Sequence, residues 1–301
     1  MAVNIYKIKK WINMLSGKSV HHVNQDEGKI YSKTQIKGYY NNLTEKVSRF
    51  GLSGNEIPKS FIDTGEEIYF SIEIFQYGLG AYDLYLLNHD KKMFSKTLAC
   101  ADWALEHQKE NGGWETFSKE TPQHPYSSMA QGEGISLLLR VYEETQEFKY
   151  MEATEKAMKF MLKSVEEGGT TRYIGNEIYF MEYTHAPLVL NGWIFSIWGL
   201  WDYWKETNDV KSKKILFQTI HTLENELPKF DIGFWSKYEE GKRICSPFYH
   251  RLHIAQLRVM YELTEIEAFR EYANKWEKYS NSFIKSKCAF IIKSWQKIVE
   301  R

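Results

Sequence analysis

Cysteine and proline are scarce in this chain, and neither sign of charge is in excess. The 301 residues include three cysteines and six prolines, and 39 Lys and Arg residues balance 39 Asp and Glu residues. The cysteines are widely spaced and form neither a metal-ligand pattern nor an even disulfide framework, so we expect reduced thiols. The balanced charge argues against nucleic acid as a bulk electrostatic partner.

Several common catalytic signatures are also missing. The sequence contains no phosphate-binding Gly-rich loop ending in Lys and Ser or Thr, no Gly-x-Ser-x-Gly elbow and no His-Glu-x-x-His motif. His250 and His253 have metal-ligand spacing but no third ligand nearby, so we expect no metal and no cofactor. The first sixteen residues lack the continuous apolar core and cleavage site of a signal peptide, which favours a cytoplasmic protein.

One stretch, residues 188–204, is apolar on every helical face. A helix of this kind lies either inside a protein or across a bilayer. Asn191, Ser196 and two glycines interrupt the stretch, and no Lys or Arg precedes it directly. We therefore predict a buried helix and no membrane span.

Most of the chain repeats a helical pattern at intervals of about sixty residues. In each repeat an apolar helix precedes an amphipathic one. The predicted apolar helices are 72–87, 128–142, 188–204 and 250–263, and the predicted amphipathic helices are 91–108, 148–165, 210–227 and 266–283. An inner ring of apolar helices within an outer amphipathic ring predicts an all-α-dominated α/α toroid, an incomplete barrel of about four helix hairpins.

The remaining segments are predicted to be an arm and loops. Residues 1–65, beginning with an amphipathic helix at 5–15, are predicted to pack as an arm on a single catalytic domain formed by residues 66–301. The alternating, glycine-containing stretches 173–179 and 233–244 predict small β-hairpins at the mouth of the barrel. The inner helices begin at this mouth, so we expect the functional site there.

Aromatic residues are abundant, with 20 Tyr, 17 Phe and 10 Trp. Flat rings stack on sugars, but large helical cores also use aromatics, and the core interpretation is expected for most of them. Near the predicted mouth, however, tyrosines accompany carboxylate and basic groups. This set comprises Glu182, Tyr183, Tyr238, Arg243, Tyr249, His250, Arg251 and His253.

Five motifs, spread in one order over residues 69–282, together resemble the C-terminal catalytic domain of D-glucuronyl C5-epimerases. They are Phe75-Gln76-Tyr77-Gly78-Leu79, Gly112-Gly113-Trp114, Tyr126 to Gly132, Glu182-Tyr183 followed by Val189 to Gly192, and Tyr249 to Leu257. The resemblance implies conversion of glucuronate to iduronate within a heparan-type polysaccharide. It also implies that Glu182, Tyr183, Tyr238 and Tyr249 are catalytic.

Elementary chemistry agrees with this resemblance. Inversion at C5 removes a hydrogen next to a carboxylate and returns a proton on the opposite face, so each face of the ring needs a proton-transfer group. We assign Tyr183 with Glu182 to one face and Tyr249 to the other, with Tyr238 near the substrate carboxylate or in the relay; which tyrosine is the base stays open. The expected substrate-binding residues are Trp114, Gln131, Arg172, Asn191, Arg243, His250, Arg251 and His253.

Structural interpretations stand beside these assignments. Gln131 and Asn191 could bond neighbouring loops, the two histidines could be satisfied polar groups at a helix start, and Arg251 could be a surface charge. Other functions also stay open: a polysaccharide lyase, which shares the first proton removal, or a non-catalytic glycan-binding relative. A hydrolase would need an aspartate pair at the mouth, which the mid-helix positions of Asp83 and Asp102 do not suggest. The expected partner is a glucuronate-containing polysaccharide, and a homodimer is an option.

Overall fold

The computed structural model describes residues 5–62 and 64–299, and helices dominate it. The α-helices are α1 (Ile5–Leu15), α2 (Thr44–Phe50), α3 (Ser71–Asn88), α4 (Lys91–His107), α5 (Ser128–Thr145), α6 (Phe148–Met161), α7 (Leu190–Thr207), α8 (Val210–Glu226), α9 (Pro247–Thr264), α10 (Glu267–Asn281) and α11 (Phe283–Val299). Two short antiparallel sheets pair β1 (Ser60–Phe61) with β2 (Glu67–Ile68) and β3 (Thr171–Ile174) with β4 (Glu177–Phe180). The all-α-dominated fold is confirmed.

All eight predicted helices of the repeat are present as α3 to α10, with ends within a few residues of the prediction. The apolar members α3, α5, α7 and α9 carry most of the buried side chains. They lie in that order, each packing against the next, while α4, α6, α8 and α10 pack on the outside. This arrangement follows from the sequence, because only a helix without a polar face can be covered on all sides.

The four helix hairpins share one turn design. Each apolar helix ends at a residue in the left-handed conformation, and the next residue is extended and precedes the amphipathic helix. At two turns this second residue is an aspartate whose side chain accepts a backbone N–H of the new helix, which caps it. The pairs are His89-Asp90, Gln146-Glu147, Asn208-Asp209 and Glu265-Ile266.

Helix α7 lies at the centre of the fold and approaches α5 very closely. A Cβ atom at Gly199 would lie 2.4 Å from the Cα of Gly132, so the two backbones touch at this crossing. Trp193 and Trp198 of α7 are fully buried. The predicted burial of this helix is therefore confirmed, and no helix within the described ranges is long and apolar enough to cross a membrane.

Residues 27–40 run across the C-terminal halves of the inner helices. The hydroxyl of Tyr40 donates to Asp202 of α7 at 2.6 Å, and the backbone N–H of Tyr39 donates to Asp83 of α3 at 2.9 Å. Both tyrosines are fully buried in the core that the helices form. The boundary at residue 65 between an arm and a separate domain stays a prediction.

The two predicted hairpins differ in outcome. The first is confirmed as β3 and β4, with Gly175 in the left-handed conformation at their turn. The second, predicted at 233–244, is wrong as a regular hairpin, because this segment forms only single bridges. Its two sides bond each other irregularly, with the N–H of Tyr238 donating to the Arg243 carbonyl at 2.8 Å. Its backbone also bonds the start of α7: the Tyr238 carbonyl accepts from the N–H of Leu190 at 3.3 Å, and the N–H of Glu240 donates to the Leu188 carbonyl at 2.9 Å.

Candidate active site

The candidate site forms where α7 and α9 begin. Glu182 follows β4 and is buried against the first turn of α7. A Cβ atom at position 192 would lie 2.3 Å from the Oε2 atom of Glu182, so only glycine leaves room for the carboxyl group there. The packing of the Glu182 carboxyl thus explains the glycine of the Asn-Gly pair at the start of α7.

Burial raises the pKa of the Glu182 carboxyl to about 7, although the hydroxyls of Tyr183 and Tyr238 and the charge of Arg243 act in the opposite direction. The group therefore changes charge near neutral pH. It is suited to accepting and releasing protons, since a useful acid–base group has a pKa near the working pH.

The raised pKa predicts how Glu182→Gln changes stability. Ionising this carboxyl costs more in the folded protein than in the unfolded chain, so the native protein loses stability as pH rises from about 4.5 to about 7. At pH 8 we expect the free energy of unfolding of Glu182→Gln, measured by urea denaturation, to exceed that of the parent by on the order of 2–3 kcal/mol. The difference should shrink at pH 4.5. The exposed control Glu110→Gln should show no such difference. An equal effect of Glu182→Gln at both pH values would contradict the shift.

Tyr183 lies beside Glu182 with its ring stacked on Phe117, the centroids 4.5 Å apart and the planes inclined by 18°. Tyr238 and Tyr249 meet edge to face, with centroids 4.9 Å apart. The guanidinium of Arg243 lies over the Tyr238 ring at 5.7 Å and forms an ion pair with Glu239. The structure therefore brings the Glu182 carboxyl, three phenols and the ion pair of Arg243 with Glu239 to the same end of the inner helices.

All three phenols hold their protons tightly. Burial, and then the charge of Glu182, raise the pKa of Tyr183, Tyr238 and Tyr249 above the usual value. A phenol in this position acts as a base only if a neighbour takes its proton. Glu182 is the carboxyl that influences all three.

A second polar network, which the sequence did not indicate, supports Tyr249 from the N-terminal residues. The Nε2 atom of His22 lies 3.3 Å from the Tyr249 hydroxyl. Next to it, Glu73 in the first turn of α3 bonds the Nζ atom of Lys46 at 2.6 Å and the Nδ1 atom of His21 at 3.1 Å.

Electrostatics fix the charge states of this network. Burial raises the pKa of Glu73, but Lys46 and His21 outweigh it and bring the value to about 2. Burial and the Lys46 charge lower the pKa of His22 to about 3, so His22 is a neutral imidazole beside Tyr249. In the sequence, only the adjacent histidines His21 and His22 and the carboxylate of Glu73 in the first turn of α3 hint at this network. Their contacts could not be predicted, because Lys46 and Tyr249 are distant from them in sequence.

Other residues predicted to bind substrate lie inside the protein. Gln131 is fully buried, and its side chain bonds both the backbone N–H and the carbonyl of Trp114. The indole of Trp114 is buried too and donates to the Ala104 carbonyl at 2.8 Å. Asn191 is buried, and its backbone carbonyl accepts from Gln256 at 3.1 Å. These contacts hold the loops that surround the site.

The two histidines at the start of α9 are also interior. His250 stacks on Trp235 at 3.7 Å; its Nδ1 atom accepts the N–H of Ser236, and its Nε2 atom lies 3.0 Å from the Trp276 carbonyl. Burial lowers the pKa of both His250 and His253 to about 3. They position the segment that carries Tyr238.

The remaining predicted basic residues lie farther out. Arg251 is exposed on α9, and Arg172 is half-buried on β3, opposite Tyr179 in the hairpin register. Of the predicted arginines, Arg243 is the one that interacts with the Glu182 carboxyl.

The buried inner helices thus carry the Glu182 carboxyl and three phenols at one end, and these are groups that can transfer protons. The family model described as the D-glucuronyl C5-epimerase C-terminus matches residues 107–278. The chain belongs to this family.

Two relatives show how distant the sequence similarity is. A D-glucuronyl C5-epimerase of Caenorhabditis elegans is 27% identical over 212 residues, which cover 60% of this chain and 34% of that protein. An uncharacterized protein of Methanocaldococcus jannaschii is 27% identical over 157 residues, which cover 50% of this chain and 51% of that protein. The matches thus span about a third and about half of these relatives' lengths.

Proposed function

We propose that this chain is a uronate C5-epimerase that converts glucuronate to iduronate within an acidic polysaccharide. The observation that carries the proposal is the buried carboxyl of Glu182, which has a pKa near 7 and influences the phenols of Tyr183, Tyr238 and Tyr249. Family membership supports the epimerase activity in general. The choice of glucuronate and of a heparosan-like polymer belongs to the proposal.

In the proposed mechanism two phenols act from opposite faces of the uronate ring. Tyr183 works on one face, and as it takes the C5 hydrogen it passes its own proton to Glu182. Tyr249 works on the other face, where its hydroxyl gives its proton to C5 and the resulting phenolate can accept a hydrogen bond from the neutral imidazole of His22. The proton held by Glu182 then passes through solvent to the Tyr249 phenolate, which restores the starting protonation state. The same pair running in reverse returns iduronate to glucuronate.

Charge develops on the substrate carboxylate as C5 loses its hydrogen. The site needs donors aimed at this carboxylate, because an enolate-like intermediate in a buried place is otherwise too costly. Arg243 offers a guanidinium with five N–H donors, and Glu239 holds it over Tyr238. Tyr238, with its pKa raised, stays protonated and can donate a hydrogen bond to the same carboxylate.

Competing reactions differ in a measurable product. A lyase would share the first proton removal and then expel the group at C4. A hydrolase would need paired aspartates, but Asp83 accepts the N–H of Tyr39, and Asp102 bonds Tyr150.

We place the activity in the cytoplasm, alongside polymer synthesis.

The test is proton NMR of heparosan and of N-sulfated heparosan incubated with the protein in D2O. We expect loss of the glucuronate C5 proton signal together with new iduronate resonances. A 4,5-unsaturated uronate would instead identify a lyase. Binding of the polymers without any exchange would identify a non-catalytic glycan-binding protein.

A further inference from the structure

Helix α11 has its apolar face on the outside. Ile284, Ile291, Trp295 and Ile298 are exposed, with exposed fractions from 63% to 79%. Cys288 is exposed between them, so the outward residues are spaced by four, three, four and three positions, which is one face of a helix. The face turned towards the protein contains Ala289 and Lys293, both buried. The usual orientation of an amphipathic surface helix is reversed.

Polar contacts seat α11 on the protein. The side chain of Gln296 donates to the Lys242 carbonyl at 2.9 Å and accepts the N–H of Ile244 at 3.1 Å. Near the other end, Lys285 lies over the Tyr279 ring at 4.1 Å. The contacts at Gln296 involve the segment that carries Arg243, so the outward apolar face lies on an element that supports the candidate site.

Helix α1 repeats the same design. Ile8, Ile12 and Leu15 are exposed and spaced by four and three positions along one face. The helix lies close to the site as well, because the charge of Lys10 contributes to the lowered pKa of His22, which contacts Tyr249. Two helices near the candidate site therefore present apolar stripes outwards.

The charge of the two helices indicates what covers these stripes. Together α1 and α11 contain seven lysines and no Asp or Glu, although the whole chain has no net charge. Pairing α11 with α11 of a second copy would bring six lysines together, three from each helix besides the buried Lys293, without any carboxylate from either helix. A surface that combines hydrocarbon with negative charge complements both properties, and basic helices with Trp and Ile on the other face bind such surfaces.

We propose that α1 and α11 dock this protein on the surface of an anionic lipid membrane. The apolar stripes enter the boundary between headgroups and acyl chains, and the exposed lysines, Lys7, Lys9, Lys287 and Lys297, contact the anionic headgroups. Neither helix spans the bilayer, in agreement with the lengths and hydropathy of the described helices. The inference does not depend on the proposed function, since it rests on the outward faces alone.

Vesicle co-sedimentation tests the docking. We expect the protein to bind vesicles of phosphatidylcholine and phosphatidylglycerol in equal amounts, to bind pure phosphatidylcholine weakly, and to lose binding as salt rises. Ile291→Glu and Trp295→Glu should each weaken binding by at least about tenfold. Lys287→Gln should weaken it about fivefold, and only on the anionic vesicles.

Matched controls lie on other helices. Phe148→Glu replaces an exposed apolar residue of α6, and Lys214→Gln removes an exposed lysine of α8. Both should leave vesicle binding unchanged. Trp295→Glu should keep the parent's activity on soluble polymer, so a failure of docking and a failure of the epimerase proposal are distinguishable.

Three results would overturn the proposal. One is equal binding to neutral and anionic vesicles. Another is no vesicle binding together with a concentration-dependent dimer, seen by sedimentation velocity, that Trp295→Glu abolishes; the faces would then cover each other in two copies. The third is no vesicle binding together with binding of soluble heparosan that Lys287→Gln weakens, which would make the helices a polysaccharide site.

Discussion

Tyr249→Phe should slow epimerisation of heparosan by at least about a hundredfold, because the variant loses one of the two proton-transfer groups of the proposed mechanism. The substitution removes one oxygen and keeps the ring that packs against Tyr238 at 4.9 Å. The lost contact is the one to His22 at 3.3 Å, so the fold should be preserved. The measurement is the appearance of iduronate resonances in D2O.

The same experiment on Tyr183→Phe separates the two faces of the ring. If the two tyrosines act from opposite faces, each variant keeps one working base. One variant should then exchange the C5 hydrogen of glucuronate for deuterium without converting the sugar to iduronate. The other variant should exchange the C5 hydrogen of iduronate without converting it to glucuronate. This opposite pattern would show which tyrosine serves which sugar, a question that the sequence leaves open.

Tyr261→Phe is the control for Tyr249→Phe. Tyr261 lies on the same helix, twelve residues and about 18 Å along its axis, and is partly exposed. Its loss should leave both exchange and inversion unchanged. Full turnover in Tyr249→Phe would remove Tyr249 from the mechanism. Equal loss of exchange on both sugars in both variants would argue against two opposed bases.

The helices could be predicted because their periodicity is local. Residues 188–204 have no polar side, and the α7 that they form is buried as such a helix must be. The same reasoning did not assign α11, because this helix follows the last of the four predicted repeats. The closure of the inner helices into a toroid stays a prediction.

The site was harder to predict than the helices. The sequence pointed to Glu182 and Tyr249 because the family motifs place them at helix starts. It could not show that Gln131 bonds the backbone of Trp114, since a buried amide and a sugar-binding amide look alike in sequence. Nor could it pair Lys46 with Glu73, which depends on how the N-terminal residues fold across α3.

At the end of the fold away from the site, a buried ion pair joins the inner helices α5 and α7, and Tyr40 and Gly38 of the N-terminal residues form hydrogen bonds to it. Asp202 of α7 accepts from Arg140 at 2.6 Å and from Tyr40 at 2.6 Å, and Lys205 lies 3.2 Å from it. Asp202 and Arg140 are fully buried. Although burial opposes ionisation, the charges of Arg140 and Lys205 lower the pKa of Asp202.

Asp202→Asn should reduce the free energy of unfolding by about 3–5 kcal/mol, measured by urea denaturation, because it leaves the Arg140 charge buried without its partner. Lys33→Gln breaks an exposed pair with Glu265 and should change the same quantity by less than about 1 kcal/mol. The triple variant Asp202→Leu with Arg140→Met and Lys205→Met should regain part of the loss, because none of these three charges is then left without its partner. A small effect of Asp202→Asn would mean that the ion pair contributes little.

A large effect confined to the first of two separate transitions would show that residues 1–65 unfold as an arm of their own, whereas one shared transition would make them part of the same cooperative core.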